Sequence, residues 1–235
     1  LYANAFREGS KQNVVSLSNY TQAYPNGTSY GHIEIENVLL NDKNWEYEIC
    51  GIDENILKIS FDQPLYPNST CNVKISFKVF LPNINHRFGY GENTVNFGNF
   101  YPIACVFENG EFMTKPYSSN GDPFYSQMSN YEVTIKYAEQ LILASTGEVL
   151  SEEKEEGFKK TKILAKNVRD FAMVLSEKFE VLTKQVGNTK VMYYYYSDKQ
   201  SQDSLETSCC ALQTFTELIG EYPYSTLSVV EANFV

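Results

Sequence analysis

Apolar and polar side chains alternate in run after run of this sequence between residue 30 and about residue 196. A period of two is the signature of a strand with one face in a core. In His32-Ile33-Glu34-Ile35-Glu36-Asn37-Val38, the residues Ile33, Ile35 and Val38 fall near one face and the acids on the other. The stretches 46–50, 56–61 and 73–80 repeat the pattern, and it returns at 131–137, 141–144, 171–175 and 191–196. Turn-forming clusters separate them: Asn41-Asp42-Lys43-Asn44, residues 51–55, and Pro64-Leu65-Tyr66-Pro67-Asn68. Short strands at this spacing predict sheets packed face to face rather than βαβ units. The 18 Tyr and 15 Phe, against one Trp, favour strands in the same way. Four successive tyrosines, Tyr193 to Tyr196, predict a strand covered on both faces whose hydroxyls need partners.

Residues 82–122 are less regular and rich in Gly, Asn and aromatics. The acidic run Ser151-Glu152-Glu153-Lys154-Glu155-Glu156-Gly157 predicts a solvated hairpin tip. At Ser197 the texture changes. Apolar residues at 205, 209, 212, 215, 218 and 219 follow a helical period over 204–219, Gly220 is placed to end the helix, and a strand is predicted over 227–230. The division expected is one β domain over 1–196, with 197–235 as the first helix and strand of something else.

The formal net charge of −10 argues against a nucleic-acid backbone or an anionic membrane as partner, and suits at most a cationic ligand such as a peptide amino terminus. No apolar run reaches the roughly 18 residues that span a bilayer as a helix. Leu1 is not a natural start, so an upstream signal or anchor is compatible with the sequence, as is a cytoplasmic location. The five cysteines (Cys50, Cys71, Cys105, Cys209, Cys210) are odd in number and include no Cys-x-x-Cys, which predicts buried thiols rather than a disulfide framework or zinc ribbon. Asn26-Gly27-Thr28 and Asn68-Ser69-Thr70 match the glycosylation tripeptide, a pattern common by chance.

No catalytic constellation emerges. The only histidines, His32 and His86, lie in separate segments and neither belongs to a His-Glu-x-x-His helix. His32-Ile33-Glu34 lacks the Pro-Cys-x-x-Cys that zinc deaminases add. Gly89-Tyr90-Gly91 lacks the third glycine and following helix of a dinucleotide site, and no G-x-S-x-G elbow or P-loop occurs. Cys209 and Cys210 point roughly 100° apart on a helix and read as packing residues. The acid pairs Glu34/Glu36 and Glu46/Glu48 read as a solvated sheet face.

Several segments, taken in order, resemble the aminopeptidase N family of zinc metallopeptidases. Leu1-Tyr2-Ala3-Asn4-Ala5-Phe6 is similar to an early strand of that family. Leu81-Pro82, Arg87-Phe88-Gly89-Tyr90 and Asn99-Phe100-Tyr101-Pro102 follow, then Gly121-Asp122-Pro123-Phe124, Tyr131-Glu132-Val133 and Ala144-Ser145-Thr146-Gly147. Val168-Arg169-Asp170-Phe171-Ala172-Met173, Tyr222-Pro223-Tyr224 and Val229-Val230-Glu231-Ala232-Asn233-Phe234 complete the series.

The resemblance implies an all-β fold: a saddle-like β-sandwich amino-terminal domain over 1–196, followed by the first helix and strand of an α/β thermolysin-like catalytic domain over 197–235. It implies that the family's Gly-x-Met-Glu-Asn substrate motif and zinc helix would come after Val235, so that this chain is a truncated, non-catalytic portion that shapes a peptide cleft. The parent would use zinc to remove amino-terminal residues from peptides, with its own catalytic domain as this chain's partner. No catalytic or metal-binding residue is assigned here. The family's substrate-contacting "TQxE" loop corresponds to Gly91-Glu92-Asn93-Thr94-Val95, which lacks the motif. Glu92 is the only carboxylate nearby; it could pair with a peptide ammonium, or be a plain surface acid. Phe97, Phe100 and Tyr101 could line the neighbouring wall or pack in the core. The alternative from another class is a binding or scaffold module, for protein or carbohydrate, on the same β domain.

Overall fold

The computed structural model describes residues 1–12, 14–118 and 124–235, so the Gly121-Asp122-Pro123 piece of the resemblance lies outside the described residues. In chain order the strands are β1 (His32–Leu40), β2 (Lys43–Asn44), β3 (Glu48–Cys50), β4 (Ile56–Lys58), β5 (Val73–Phe80), β6 (Phe88–Tyr90), β7 (Val95–Phe97), β8 (Phe107–Glu108) and β9 (Glu111–Phe112). They continue as β10 (Ser129–Ala138), β11 (Ile142–Ser145), β12 (Glu148–Glu155), β13 (Phe158–Val168), β14 (Met173–Ser176), β15 (Glu180–Val186), β16 (Thr189–Tyr195) and β17 (Thr226–Val230). One α-helix is short, α1 (Tyr20–Ala23), and one long, α2 (Ser201–Leu218). The fold is all-β, in several small sheets with little helix. Two compact units divide it, Leu1–Gly89 with Asn99–Gln127, and Tyr90–Gly98 with Met128–Phe234.

In the first unit β1 pairs antiparallel with both β2 and β5. The ladder slips between Ile35 and Asn37, a bulge that resets the alternation. That is why Ile33 and Val38, an odd number of residues apart, are both buried. Ile35 of β1, Phe77 and Val79 of β5, and Ile49 and Leu57 of the β3–β4 hairpin pack around Phe6, Ile84 and Phe88. Residues Tyr2–Phe6 form a 3-10 helix where the resemblance led to a strand. The buried Asn4 explains the difference: its side chain donates to the Glu54 carbonyl at 2.8 Å and accepts from the Ile33 N–H at 2.9 Å. Those two bonds tie the segment to β1 and to the turn at Glu54, and it adds no rung to the sheet.

In the second unit β10, β13 and β12 form one antiparallel sheet, and β11, β14 and β7 line up in another. The acidic run expected as a hairpin tip is mostly strand. Glu152, Glu153 and Lys154 pair with Thr161, Lys160 and Lys159, and only Glu156 and Gly157 turn. The charge belongs to a sheet edge, where solvated side chains are the rule.

The tyrosine run is β16, the middle strand of β15-β16-β17. Val191 and Tyr193 pack with Leu205, Cys209 and Leu212 of α2. Met192, Tyr194 and Tyr196 pack on the opposite side with Ala144, Val174 and Phe179. Tyr193 donates to Asp198 and Tyr195 to Glu180, each at 2.8 Å. β17 joins β16 in parallel, with α2 as the crossover a parallel pair needs. The apolar stripe of α2 is buried only in its first half, since Phe215, Leu218 and Ile219 are exposed. Against the expectation of mostly buried thiols, only Cys209 of the five is buried; Cys50 and Cys71 are half-buried, and Cys105 and Cys210 are exposed, so Cys210 does not pack as its neighbour does.

Gly147 turns the chain from β11 to β12 at φ +89°, and a Cβ there would lie 2.6 Å from the Leu164 carbonyl oxygen and 2.8 Å from the Ala165 Cβ. A left-handed backbone and a clash with main chain act together. Gly147→Ala should therefore cost about 1–3 kcal/mol. Urea unfolding would show this as a lower midpoint at unchanged slope.

Candidate functional site

Glu92 sits in the turn between β6 and β7, with its side chain 87% exposed. The turn itself is held firmly. Gly91 N–H donates to the Thr94 carbonyl at 3.0 Å. On one side, Ser176 Oγ donates to the Asn93 carbonyl at 2.6 Å and Lys178 Nζ donates to Asn93 Oδ1 at 2.6 Å. On the other, Asn233 Oδ1 accepts from the N–H groups of both Asn93 and Thr94 at 3.0 Å. Asn233 N–H donates to Thr94 Oγ1 at 3.0 Å, and Asn96 Nδ2 donates to the Asn233 carbonyl at 2.8 Å. A residue 139 positions away in sequence thus fixes the loop that carries Glu92.

Asn233 is itself positioned by its neighbour Glu231. That carboxylate accepts from the N–H groups of Tyr196, Ser197 and Asp198 at 2.8, 3.0 and 3.2 Å, and from the Ser197 hydroxyl. Burial pushes the Glu231 carboxyl up, but the hydrogen bonds from Ser197, Tyr196 and Asp198 outweigh it and leave the group below its ordinary value. Burial also raises the Tyr196 hydroxyl; a hydrogen bond from Asn93 opposes this, and the charges of Glu231 and Glu92 add to it.

The result is an exposed carboxylate on a pinned loop. Its nearest cation, Lys178 Nζ, is 3.9 Å from Glu92 Oε1, at the limit of an ion pair. Such an acid can receive an ammonium group without first breaking a strong bond. Among the described residues nothing nearby pairs a nucleophile with a base. The family resemblance led to Glu92 and included the segment that holds Glu231 and Asn233; it gave no sign of Ser176 or Lys178, or of the contacts Glu231 and Asn233 make, which arise from tertiary placement. Phe100 packs against the core of the first unit, and Phe97 takes its place in the β7 ladder opposite Met173. A cleft of about 890 Å³ elsewhere in the second unit is walled by β11, β14, the end of β13 and residues 222–230, with Glu148 and Lys166 its charged members. Hydroxyls of Thr226 and Ser228 cross it to the carbonyls of Gly147 and Ser145, so it offers packing rather than convergent chemistry.

Among the described residues no three of His, Cys, Asp or Glu stand close enough to hold a metal. His32 stacks on Phe80 at 4.6 Å with Nε2 3.1 Å from Glu34. His86 is buried, its ring edge-on to Phe6 at 5.2 Å.

No protein-family model matches the sequence, and no curated protein matches it. Solved structures do. The crystal structure of an M1 zinc metallopeptidase from Deinococcus radiodurans superposes over 84% of this chain at a TM-score of 0.55 and 11% identity. A variant of an M1 zinc metallopeptidase from the same organism, bound to a Tyr-Ser-Ala substrate, covers 84% at a TM-score of 0.53 and 13% identity. This chain shares its fold with part of those M1 zinc metallopeptidases. It spans 46% of the length of each of those M1 structures. No helix among the described residues is long and apolar enough to cross a membrane.

Glu231→Gln removes the charge and one acceptor from three N–H groups, and should cost about 1–2 kcal/mol in urea unfolding. The His86 imidazole is pushed down to about 4, first by burial and then by the Arg87 guanidinium. Its folded value lies below its unfolded one, so the unfolded chain binds the proton more readily as pH falls. Stability should drop between about pH 6.5 and pH 4 by up to about 3 kcal/mol and then level for this group. In denaturation curves across that range, His86→Gln should flatten the slope.

Proposed function

We propose that this chain is the non-catalytic amino-terminal part of a zinc aminopeptidase-like metallopeptidase, in which the β domain shapes a peptide-binding cleft. Residues 1–196 form that β domain in this reading, and residues 197–235 are the opening helix and strand of the catalytic part. Zinc, and the residues that hold it, belong to sequence that this chain does not contain. The M1 fold supports the reading.

The observation that carries it is the Asn233 clamp. In the family resemblance, the loop bearing Glu92 corresponds to one near the substrate's first residue, and the segment ending in Glu231-Ala232-Asn233-Phe234 to a stretch that leads into the substrate and zinc motifs. Here the two are joined by hydrogen bonds that Asn93, Thr94 and Asn96 donate to Asn233. Glu92 then supplies a carboxylate for a peptide's terminal ammonium, in competition with Lys178, and exchanges one exposed ion pair for another. The loop is fixed beforehand, so little ordering is left to the moment of binding.

The tripeptide Tyr-Ser-Ala, titrated into labelled protein, should shift the amide resonances of Asn93, Thr94 and Lys178 weakly and saturably. Its N-acetylated form should not, and Glu92→Gln should reduce the response. Equal shifts from both peptides would overturn the role of Glu92. No shift from either would favour the scaffold reading. The chain should release no chromophore from leucine 4-nitroanilide and retain less than stoichiometric zinc after dialysis. Turnover, or one tightly held zinc per chain, would place the chemistry within these residues and defeat the division.

A further inference from the structure

The β3–β4 hairpin of the first unit opens where its ladder ends. Glu48 and Lys58 are the last backbone pair, with their side chains 3.1 Å apart. Beyond them the two arms diverge around a concavity of about 500 Å³ that includes Trp45, Glu46, Tyr47 and Asp62 in its lining. The aromatic residues of this concavity are anchored by their polar ends. The Trp45 indole N–H donates to the Ser60 carbonyl at 2.8 Å, and the Tyr47 hydroxyl donates to the Ile35 carbonyl at 3.0 Å. The Trp45 backbone N–H is tied to Val38 at 2.9 Å. With their donors satisfied by main chain, these rings have only faces and edges left to offer a ligand. Tyr47 is 37% exposed and Trp45 half-buried.

The charge of the lining is unbalanced. Lys58 is engaged with Glu48, while neither Glu46 nor Asp62 has an ion-pair partner among the described residues. Two uncompensated carboxylates beside two fixed aromatic rings favour a cation that has both charge and a weakly hydrated surface. A guanidinium meets both conditions, because its plane lies on a ring face while its N–H groups reach carboxylates. A small metal ion does not, because it would demand several converging oxygens.

The geometry points to this concavity as a binding site for a basic side chain, in particular the arginine of a peptide. The site lies apart from the Glu92 loop in sequence, and it stands whether or not the reading of that loop is correct.

Trp45 is the only tryptophan in the chain, so its emission reports directly on the site. N-acetyl-arginine amide is titrated while emission is excited at the red edge of tryptophan absorption, with N-acetyl-citrulline amide as the neutral isostere. A saturable change with the arginine compound is expected. Citrulline should bind at least roughly threefold more weakly, in keeping with a modest exposed cation–π contact. Glu46→Gln with Asp62→Asn, two changes on exposed side chains, should weaken the arginine compound by a similar factor or more. Tyr47→Leu, which keeps an apolar body but removes the π face, should weaken it as well. Absence of a saturable change, equal binding of citrulline, or binding indifferent to the paired acid substitutions would each overturn the assignment.

Discussion

The second unit depends on one strand being buried from both sides. β16 presents Val191 and Tyr193 to α2, and Met192 and Tyr194 to the residues around Phe179, where Tyr196 just past its end also packs. Tyrosine suits such a strand because each ring fills space while its hydroxyl can reach outward for a partner. Asp198 and Glu180 are those partners for Tyr193 and Tyr195. A buried hydroxyl left without one would cost about 1–3 kcal/mol, comparable to the gain from burying the ring. Fixing β16 also fixes β17 beside it, and β17 delivers Glu231 and Asn233 to their places.

The site inherits its rigidity from that arrangement. Glu231 holds the start of the connection into α2 through three main-chain N–H groups, and two residues later Asn233 holds the Glu92 loop. An exposed acid is normally a mobile one. Here the freedom is confined to the Glu92 side chain, because the backbone beneath it is bonded to segments far away in sequence. The Glu92 loop offers charge in open solvent, whereas the Trp45 concavity offers charge against fixed rings.

What could be read in the sequence was whatever has a short period. The alternation of β1 and β5, the doubly covered tyrosine strand and the helix before β17 all follow from local spacing. The strand β12 did not announce itself, because Glu and Lys at a sheet edge look like a solvated turn. The 3-10 helix at Tyr2–Phe6 was equally hidden. Its cause is Asn4, a single polar side chain bonded to Glu54 and Ile33. For the site, a resemblance led to Glu92, while Ser176, Lys178 and the contacts of Asn233 became visible only when the chain had folded around them. The hairpin opening at Trp45 left no trace in the sequence, since it arises from where a ladder stops.

The charged edge of β12 has a consequence for how the protein behaves among copies of itself. A chain built so largely of strands carries unpaired backbone groups wherever a sheet ends, and β12 ends the β10-β13-β12 sheet. Its glutamates, Glu148, Glu152, Glu153 and Glu155, outnumber its one lysine, Lys154, so a second molecule approaching with the same edge would bring net like charge against like. The run that reads as a turn thus serves as a fence, keeping each molecule's sheet from growing into its neighbour's.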